Sequence, residues 1–176
     1  MDLDPTKVLE FLKLILNLKH NVRKGWEYRS VKNPESIASH MYNMALMTFL
    51  LDDNSKLDRL LCLQMALVHD LAECIVGDIT PQDNVPPDVK HKLEDEAMKK
   101  LTGDLGDETD EAKFVKDLDQ FDMILTASEY EVRDGSFGKL QEFFDATEGK
   151  FTHPLVKSLV SILNNQRELN KNRVIE

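Results

Sequence analysis

Between Leu57 and Val76 the chain is apolar on nearly every side, with Leu57, Leu60, Leu61, Met65, Leu67, Val68 and Leu71 spread around the helical wheel. A helix that is hydrophobic all round belongs at the centre of a bundle. Yet "ALVHDLAE", residues 66–73, sets His69, Asp70 and Glu73 into the C-terminal end of that run. Burying so much polarity without compensation costs on the order of several kcal/mol. These groups are therefore paired with one another or gathered around a charge, and a divalent metal ion meets that demand.

The remaining sequence reads as further helices around this one. Asp4-Pro5 is an N-cap and first-turn pair, followed at helical spacing by Val8, Phe11, Leu12, Ile15 and Leu18, and this helix is expected to end near His20. "NVRKGWEYRSVKNPES" reads as a loop closed by a cap at Asn33-Pro34. The next helix, about Glu35 to Leu51, has the stripe Ile37, Met41, Met44, Thr48 and Leu51, with His40 beside it. The apolar helix follows over about Lys56–Val76 and stops at Gly77. After the Pro-rich acidic loop "DITPQDNVPPD" come a polar helix from about Asp88 to Leu101, the loop "TGDLGDETDE", and a long helix from about Glu108 to Val132. The stripe of that long helix is Phe114, Leu118, Phe121 and Leu125, and two more amphipathic helices are expected near Phe137–Thr147 and Pro154–Leu169. No strand-like alternation or internal repeat competes with this reading. At 176 residues, with 41% apolar residues and only 7 Gly and 6 Pro, the expectation is one all-α domain over residues 1–176.

A formal charge of −10, from 32 acidic against 22 basic residues, argues against a nucleic-acid polymer as partner. A small phosphate ester is still compatible, because a metal and one or two basic side chains supply positive charge locally. Cys62 and Cys74 both lie in the apolar helix, as small buried hydrophobes do in a reducing compartment. With no run of about 18 apolar residues and no cleavable leader pattern, the expected location is the cytoplasm or the nucleus, without a membrane partner.

On one helix His69 and Glu73 share a face while Asp70 points about 100° away, although neighbouring His and Asp still converge on an ion near a helix end. Imidazoles with carboxylates suit Mn²⁺, Co²⁺, Fe²⁺ or Zn²⁺ and tolerate Mg²⁺ less well. By itself, His40 on an apolar face is more often a hydrogen-bonded core residue than a ligand. The combination raises its standing: a His inside one helix, His-Asp with Glu73 inside the most apolar helix, and Asp117, Asp119 and Asp122 edging a later core face.

In the order His40, His69-Asp70, Asp119, the chain resembles the HD-domain metal-dependent phosphohydrolases, which hold a metal on an all-helical bundle. "NPESIASHMYNMA", "ALVHDLAECIVGDITP" and "LDQFDMILTASEYE" resemble the 5'-deoxynucleotidase branch in particular, over a core of about residues 9–163. The resemblance implies a single HD-domain helical bundle with His40, His69, Asp70 and Asp119 as metal ligands and Glu73 and Asp78 as catalytic acids. In that branch Glu73 orients the attacking water, and Asp78 either contacts the sugar or assists the leaving oxygen. The same two acids, with the Ile79 carbonyl, are implied as holders of a second cation. Trp26 stands where the branch has a Trp beside the sugar. Bacterial relatives carry Arg directly before that Trp, whereas here Gly25 does, so Arg23 and Lys24 are both candidates for the phosphate. The implied cofactor is Mn²⁺, Co²⁺ or Mg²⁺, with Fe²⁺ or Zn²⁺ as alternatives. The implied reaction is hydrolysis of a 2'-deoxyribonucleoside 5'-monophosphate by a homodimer.

Two rivals remain at this stage. One is another HD chemistry on cyclic or triphosphate nucleotides, and the other is a non-catalytic nucleotide-sensing module. The chain lacks a Gly-Tyr-Pro signature and is short for a triphosphohydrolase, and a sensor would have no use for Glu73 and Asp78.

Overall fold

The structure, a computed structural model, describes residues 5–52, 54–101 and 109–173. Among these, nine α-helices and short 3-10 turns carry the regular structure, with a single isolated antiparallel bridge between Val22 and Ser36. The helices are α1 (Pro5–Leu16), α2 (Lys24–Glu27), α3 (Ile37–Met47), α4 (Arg59–Val68), α5 (Glu73–Val76), α6 (Pro87–Leu101), α7 (Asp110–Arg133), α8 (Gln141–Thr147) and α9 (Pro154–Arg173). The all-α expectation holds. The cap expected at Asp4 and the loop expected over 102–108, with the helix start at Glu108, lie outside the described residues. Two compact units divide the chain, one within Met1–Leu46 and Leu63–Asp107, the other within Met47–Cys62 and Glu108–Glu176.

The first unit is built on a small apolar core of Leu18, Ile37, Met41, Leu71 and Cys74, packed against Leu14, Ile15, Ala38, Val68 and Met98. The Asn17 amide donates to the Cys74 carbonyl at 3.1 Å, which ties the turn after α1 to α5. Cys62 and Cys74 are buried free thiols, and burial pushes the Cys62 thiol up to about 11 and raises that of Cys74. The five residues expected to form the inner stripe of α3 and the turn after it are all buried.

α4 begins at Arg59 rather than near Lys56 and α8 at Gln141 rather than near Phe137, and three larger differences from the sequence reading follow. The apolar helix is not continuous to Val76: α4 ends at Val68, residues 69–72 form turns, and α5 begins at Glu73. The backbone tightens there into i to i−3 bonds, Leu71 to Val68 at 3.0 Å, Glu73 to Asp70 at 3.0 Å and Ile75 to Ala72 at 2.9 Å. A one-turn helix, α2, stands where a loop was expected. Its first amide, on Lys24, donates to the Asp78 carboxylate at 2.7 Å, and this satisfies one of the amides a helix start leaves without a partner. The cap of α3 is Ser36 rather than Asn33, with the Ser39 amide donating to its Oγ at 3.2 Å.

The stretch Arg59–Asp83 reaches a mean hydropathy of 1.6, enough by composition for a membrane span. It is broken at residues 69–72, whereas a span needs about 20 continuous helical residues.

The second unit packs α8 and α9 against α7. Thr109 caps α7, accepting from the Ala112 amide at 3.1 Å, with Asp110 and Glu111 favourable to the helix dipole in the first turn. Its buried face runs through Phe114, Leu118 and Phe121 as expected and then through Ile124, while Leu125 is only half-buried. Glu131, fully buried at 0% exposure, takes a two-pronged bond from Arg167 of α9, Nε to Oε2 at 2.8 Å and Nη2 to Oε1 at 2.9 Å. The same carboxylate accepts the Leu140 amide at 2.8 Å, and the Arg167 guanidinium lies 3.7 Å over the Phe144 ring.

Candidate metal centre

Three donors converge within the first unit. The His40 Nε2 and His69 Nε2 atoms lie 3.6 Å and 3.1 Å from the same oxygen, Asp70 Oδ2, and the two rings meet edge to face with centroids 5.3 Å apart. His40 is 0% exposed, seated in the middle of α3, and His69 and Asp70 occupy the tight turn after α4. That turn, rather than an i and i+4 spacing, is what lets two neighbouring side chains face one point.

The tautomer of His69 follows from its other nitrogen. Nδ1 lies 2.9 Å from the Ala66 carbonyl, which only accepts, so Nδ1 carries the proton and Nε2 presents its lone pair. A lone pair and a carboxylate oxygen 3.1 Å apart attract only through a shared positive charge, either a second proton on the ring or a metal ion between them. Two imidazole nitrogens and a carboxylate oxygen are the donor set of a first-row divalent ion, so the residues fit a metal. Burial alone would raise the Asp70 carboxyl. His69, by charge and hydrogen bond, with His40 and Arg23, outweighs it and holds that carboxyl well below the usual range.

Arg23 reaches this cluster and Lys24 does not. Antiparallel bonding between residues 21–23 and 35–37, with the Arg23 amide donating to the Glu35 carbonyl at 3.1 Å and the Ile37 amide to the Asn21 carbonyl at 2.9 Å, sets Arg23 beside the start of α3. Its Nη1 lies 3.8 Å from Asp70 Oδ2 and its Nε 3.8 Å from Glu35 Oε1. Lys24 turns to Asp83 at 3.6 Å, an aspartate that also takes the Tyr28 hydroxyl at 2.7 Å. Trp26 is 1% exposed, and its indole N–H donates to Glu35 Oε1 at 3.1 Å. Glu35 thus links Arg23 and Trp26. The sequence reading missed it, because an acid just before a helix is an ordinary first-turn residue and nothing in its spacing marks it.

Around Asp70 lie the other acids. Glu73 is buried, and its carboxyl is pushed up to about 10 by burial first and then by Asp70 and Asp78, against the opposing charges of Arg23 and Lys90. Gly77, at φ 73°, ends α5 in the left-handed region and turns the chain into Asp78 and Ile79. Two of the three oxygen groups implied for a second cation carry protein donors here: Asp78 Oδ2 accepts the Lys24 amide at 2.7 Å and the Ile79 carbonyl accepts Lys90 Nζ at 2.8 Å.

The three aspartates of α7 have different surroundings. Asp117 is buried within the second unit and accepts the Thr152 amide at 2.7 Å, the Thr152 hydroxyl at 3.0 Å and the His153 amide at 2.6 Å, so it caps the start of α9. Asp122 is fully buried and Asp119 half-buried. Asp117→Ala is therefore expected to cost about 2 kcal/mol of stability by stranding two amides, while leaving metal content unchanged. Chemical denaturation together with elemental analysis checks both halves of that expectation.

The helices bring a His together with a His-Asp pair, and the HD domain family matches residues 15–159 of this chain. The chain belongs to the HD domain family. Human 5'-deoxynucleotidase HDDC2 is 47% identical over 179 residues, covering 93% of this chain and 87% of the human one. The Dictyostelium discoideum 5'-deoxynucleotidase HDDC2 is 42% identical over 186 residues, covering 91% and 98%. Among solved structures, the PH0347 protein from Pyrococcus horikoshii OT3 superposes with a TM-score of 0.76 at 34% identity, covering 92% of this chain and 99% of its own.

Proposed function

We propose that this chain is a metal-dependent 5'-deoxynucleotidase that hydrolyses 2'-deoxyribonucleoside 5'-monophosphates to deoxynucleoside and phosphate. The observation that carries the reading is the convergence of His40, His69 and Asp70 on one point with Arg23 beside it. Relatives bearing that activity in their names cover nearly the whole chain. The family match runs through residues of both units, which supports reading them as one catalytic domain.

His40, His69 and Asp70 would hold the ion with Asp119 as fourth ligand, and Mn²⁺, Co²⁺ or Mg²⁺ are the proposed metals, with Fe²⁺ or Zn²⁺ as alternatives. When bound, such an ion supplies Lewis-acid polarisation of the phosphate and a water acidic enough to attack at neutral pH. The protein's own groups do the rest. Arg23, anchored by Glu35 and facing Asp70, binds and orients the phosphate. Glu73 orients the attacking water, and Asp78, held by the Lys24 amide, acts near the sugar or the leaving 5'-oxygen. Trp26 closes the sugar side against a 2'-hydroxyl. Its ring is held in place by burial and by the bond to Glu35.

The proposed assembly is a homodimer, supported by apolar side chains that α3 and the turn after it expose, Tyr42, Leu46, Phe49 and Leu50. The proposed location is the cytoplasm or nucleus, with neither a membrane nor a nucleic-acid polymer as partner. Two free buried thiols and the net charge of −10 support this.

Glu73→Gln separates binding from chemistry. The variant is expected to keep one metal ion per chain while turnover of dAMP falls by about 10²-fold or more. Steady-state kinetics alongside metal analysis tests the role, and a fully active Glu73→Gln enzyme would remove it.

A further inference from the structure

Glu35 lies two residues before α3, and its backbone and side chain both meet Arg23. Its carbonyl accepts the Arg23 amide at 3.1 Å, and its Oε1 stands 3.8 Å from Arg23 Nε. That same Oε1 accepts the Trp26 indole N–H at 3.1 Å. Arg23 precedes α2 and Trp26 lies within it, so one carboxylate oxygen serves the cation and the ring together. The Arg23 and Glu35 side chains are each only 16% exposed, and their attraction is screened less than that of a surface pair.

At its other end the Arg23 guanidinium faces a second carboxylate, with Nη1 3.8 Å from Asp70 Oδ2. The two separations are equal and longer than a hydrogen bond, so the cation is balanced between Glu35 and Asp70. Without the charge on Glu35, the pull of Asp70 is unopposed from that side. Arg23 then closes on Asp70 and turns from an incoming phosphate. Trp26 depends on Glu35 differently, because its buried N–H needs an acceptor oxygen there and not a charge.

We propose that Glu35 is a positioning residue that couples the phosphate side of the site to its sugar side. Its charge keeps Arg23 off Asp70 and available to the phosphate, while its Oε1 pins Trp26 in the orientation that turns away a 2'-hydroxyl. The inference rests on the deoxynucleotidase reading and deepens it. The two duties are chemically separable, since the first needs a negative charge and the second only an oxygen.

Steady-state kinetics of the Mn²⁺-loaded full chain on dAMP and AMP reads both duties. In Glu35→Gln both neighbours are donors, so the amide presents its oxygen to them and only the charge is lost. KM for dAMP is expected to rise about 10-fold, with the dAMP-to-AMP ratio of kcat/KM held within about threefold. Glu35→Leu removes charge and oxygen together, and there the ratio is also expected to fall by at least about 10-fold. Trp26 is the only tryptophan of the chain, so acrylamide quenching of its fluorescence reads the ring directly. Quenching is expected to increase in Glu35→Leu and to stay at the wild-type level in Glu35→Gln. A Glu35 that merely supported the fold would instead lower kcat alike for both substrates. A His40 ring nitrogen lies within 4.8 Å of the Glu35 carboxylate, so metal content is measured on each sample. A KM rise that disappeared at saturating Mn²⁺ would overturn the role through Arg23. Absence of metal-dependent dAMP hydrolysis in wild type would sink the deoxynucleotidase reading and this inference with it. With wild type active and selective, a Glu35→Leu enzyme in which either the KM for dAMP or the dAMP-to-AMP ratio stayed within twofold would overturn the coupling alone. Should Glu35→Leu not fold, Glu35→Gln decides, and a KM for dAMP within twofold of wild type overturns the inference.

Discussion

His69→Ala is expected to abolish metal retention and to lower phosphate release from dAMP by at least about 10³-fold, the scale of losing several kcal/mol of charge stabilisation in the transition state. The reason is geometric. His69 brings the Nε2 lone pair to 3.1 Å from Asp70 Oδ2, and its Nδ1 is fixed by the Ala66 carbonyl at 2.9 Å, so no neighbouring side chain can take over the role. His40→Ala is expected to act in the same direction, because its ring sits fully buried in α3 with Nε2 3.6 Å from the same carboxylate oxygen. Elemental analysis of dialysed protein and a phosphate-release assay read the two effects separately. A His69→Ala protein that retained one ion per chain and near-normal turnover would place the metal elsewhere.

The largest loss of stability is expected away from the chemistry, at Glu131. Glu131→Ala leaves the Arg167 guanidinium buried without its carboxylate, a change that costs about 3–5 kcal/mol and lowers Tm by roughly 6–20 °C in a chain of this size. Replacing both partners by apolar residues, Glu131→Met with Arg167→Met, is expected to cost much less, since the uncompensated charge is then absent. The pH dependence has a definite sign. Burial raises the Glu131 carboxyl, but the Arg167 hydrogen bonds and charge and the backbone amides outweigh it and hold it below its ordinary value. A carboxyl lowered by folding stabilises the native state above its unfolded pKa, and that contribution is lost as pH falls through the folded value. Wild type should therefore lose this increment below about pH 4.3, and Glu131→Gln should show a flatter acid limb in thermal melts.

The helices and the polar trio were legible in the sequence because both are written in local patterns. A 3.6-residue stripe marks α3 and α7, and charged residues in an otherwise apolar run mark the centre of the site. The break after Val68 was not legible, because the same apolar composition suits a continuous helix. What tightens the backbone there is a set of i to i−3 bonds with no signature of their own. The one-turn helix at Lys24–Glu27 was hidden for a related reason: its first amide is satisfied by Asp78, 54 positions away in sequence. Arg23 and Lys24 were equivalent on paper, and the antiparallel bonds around Val22 and Ser36 distinguish them. Asp117 looked like a third acid on a core face until Thr152 and His153 were seen donating to it. Lys90 lay in a helix read as a solvated face, and only the fold brings its ammonium to Ile79.

Phosphate release by the purified wild-type chain, stripped of metal and then supplied with Mn²⁺, is the most direct measurement, run on dAMP, AMP, dADP and dATP at equal concentration. Hydrolysis of dAMP is expected only with added metal, with AMP slower by on the order of 10²-fold, the margin a closed sugar pocket gives. The di- and triphosphates should release little or no phosphate. Turnover of dAMP that survived complete metal removal, or metal-dependent release from dATP in preference to dAMP, would contradict a metal-dependent 5'-deoxynucleotidase.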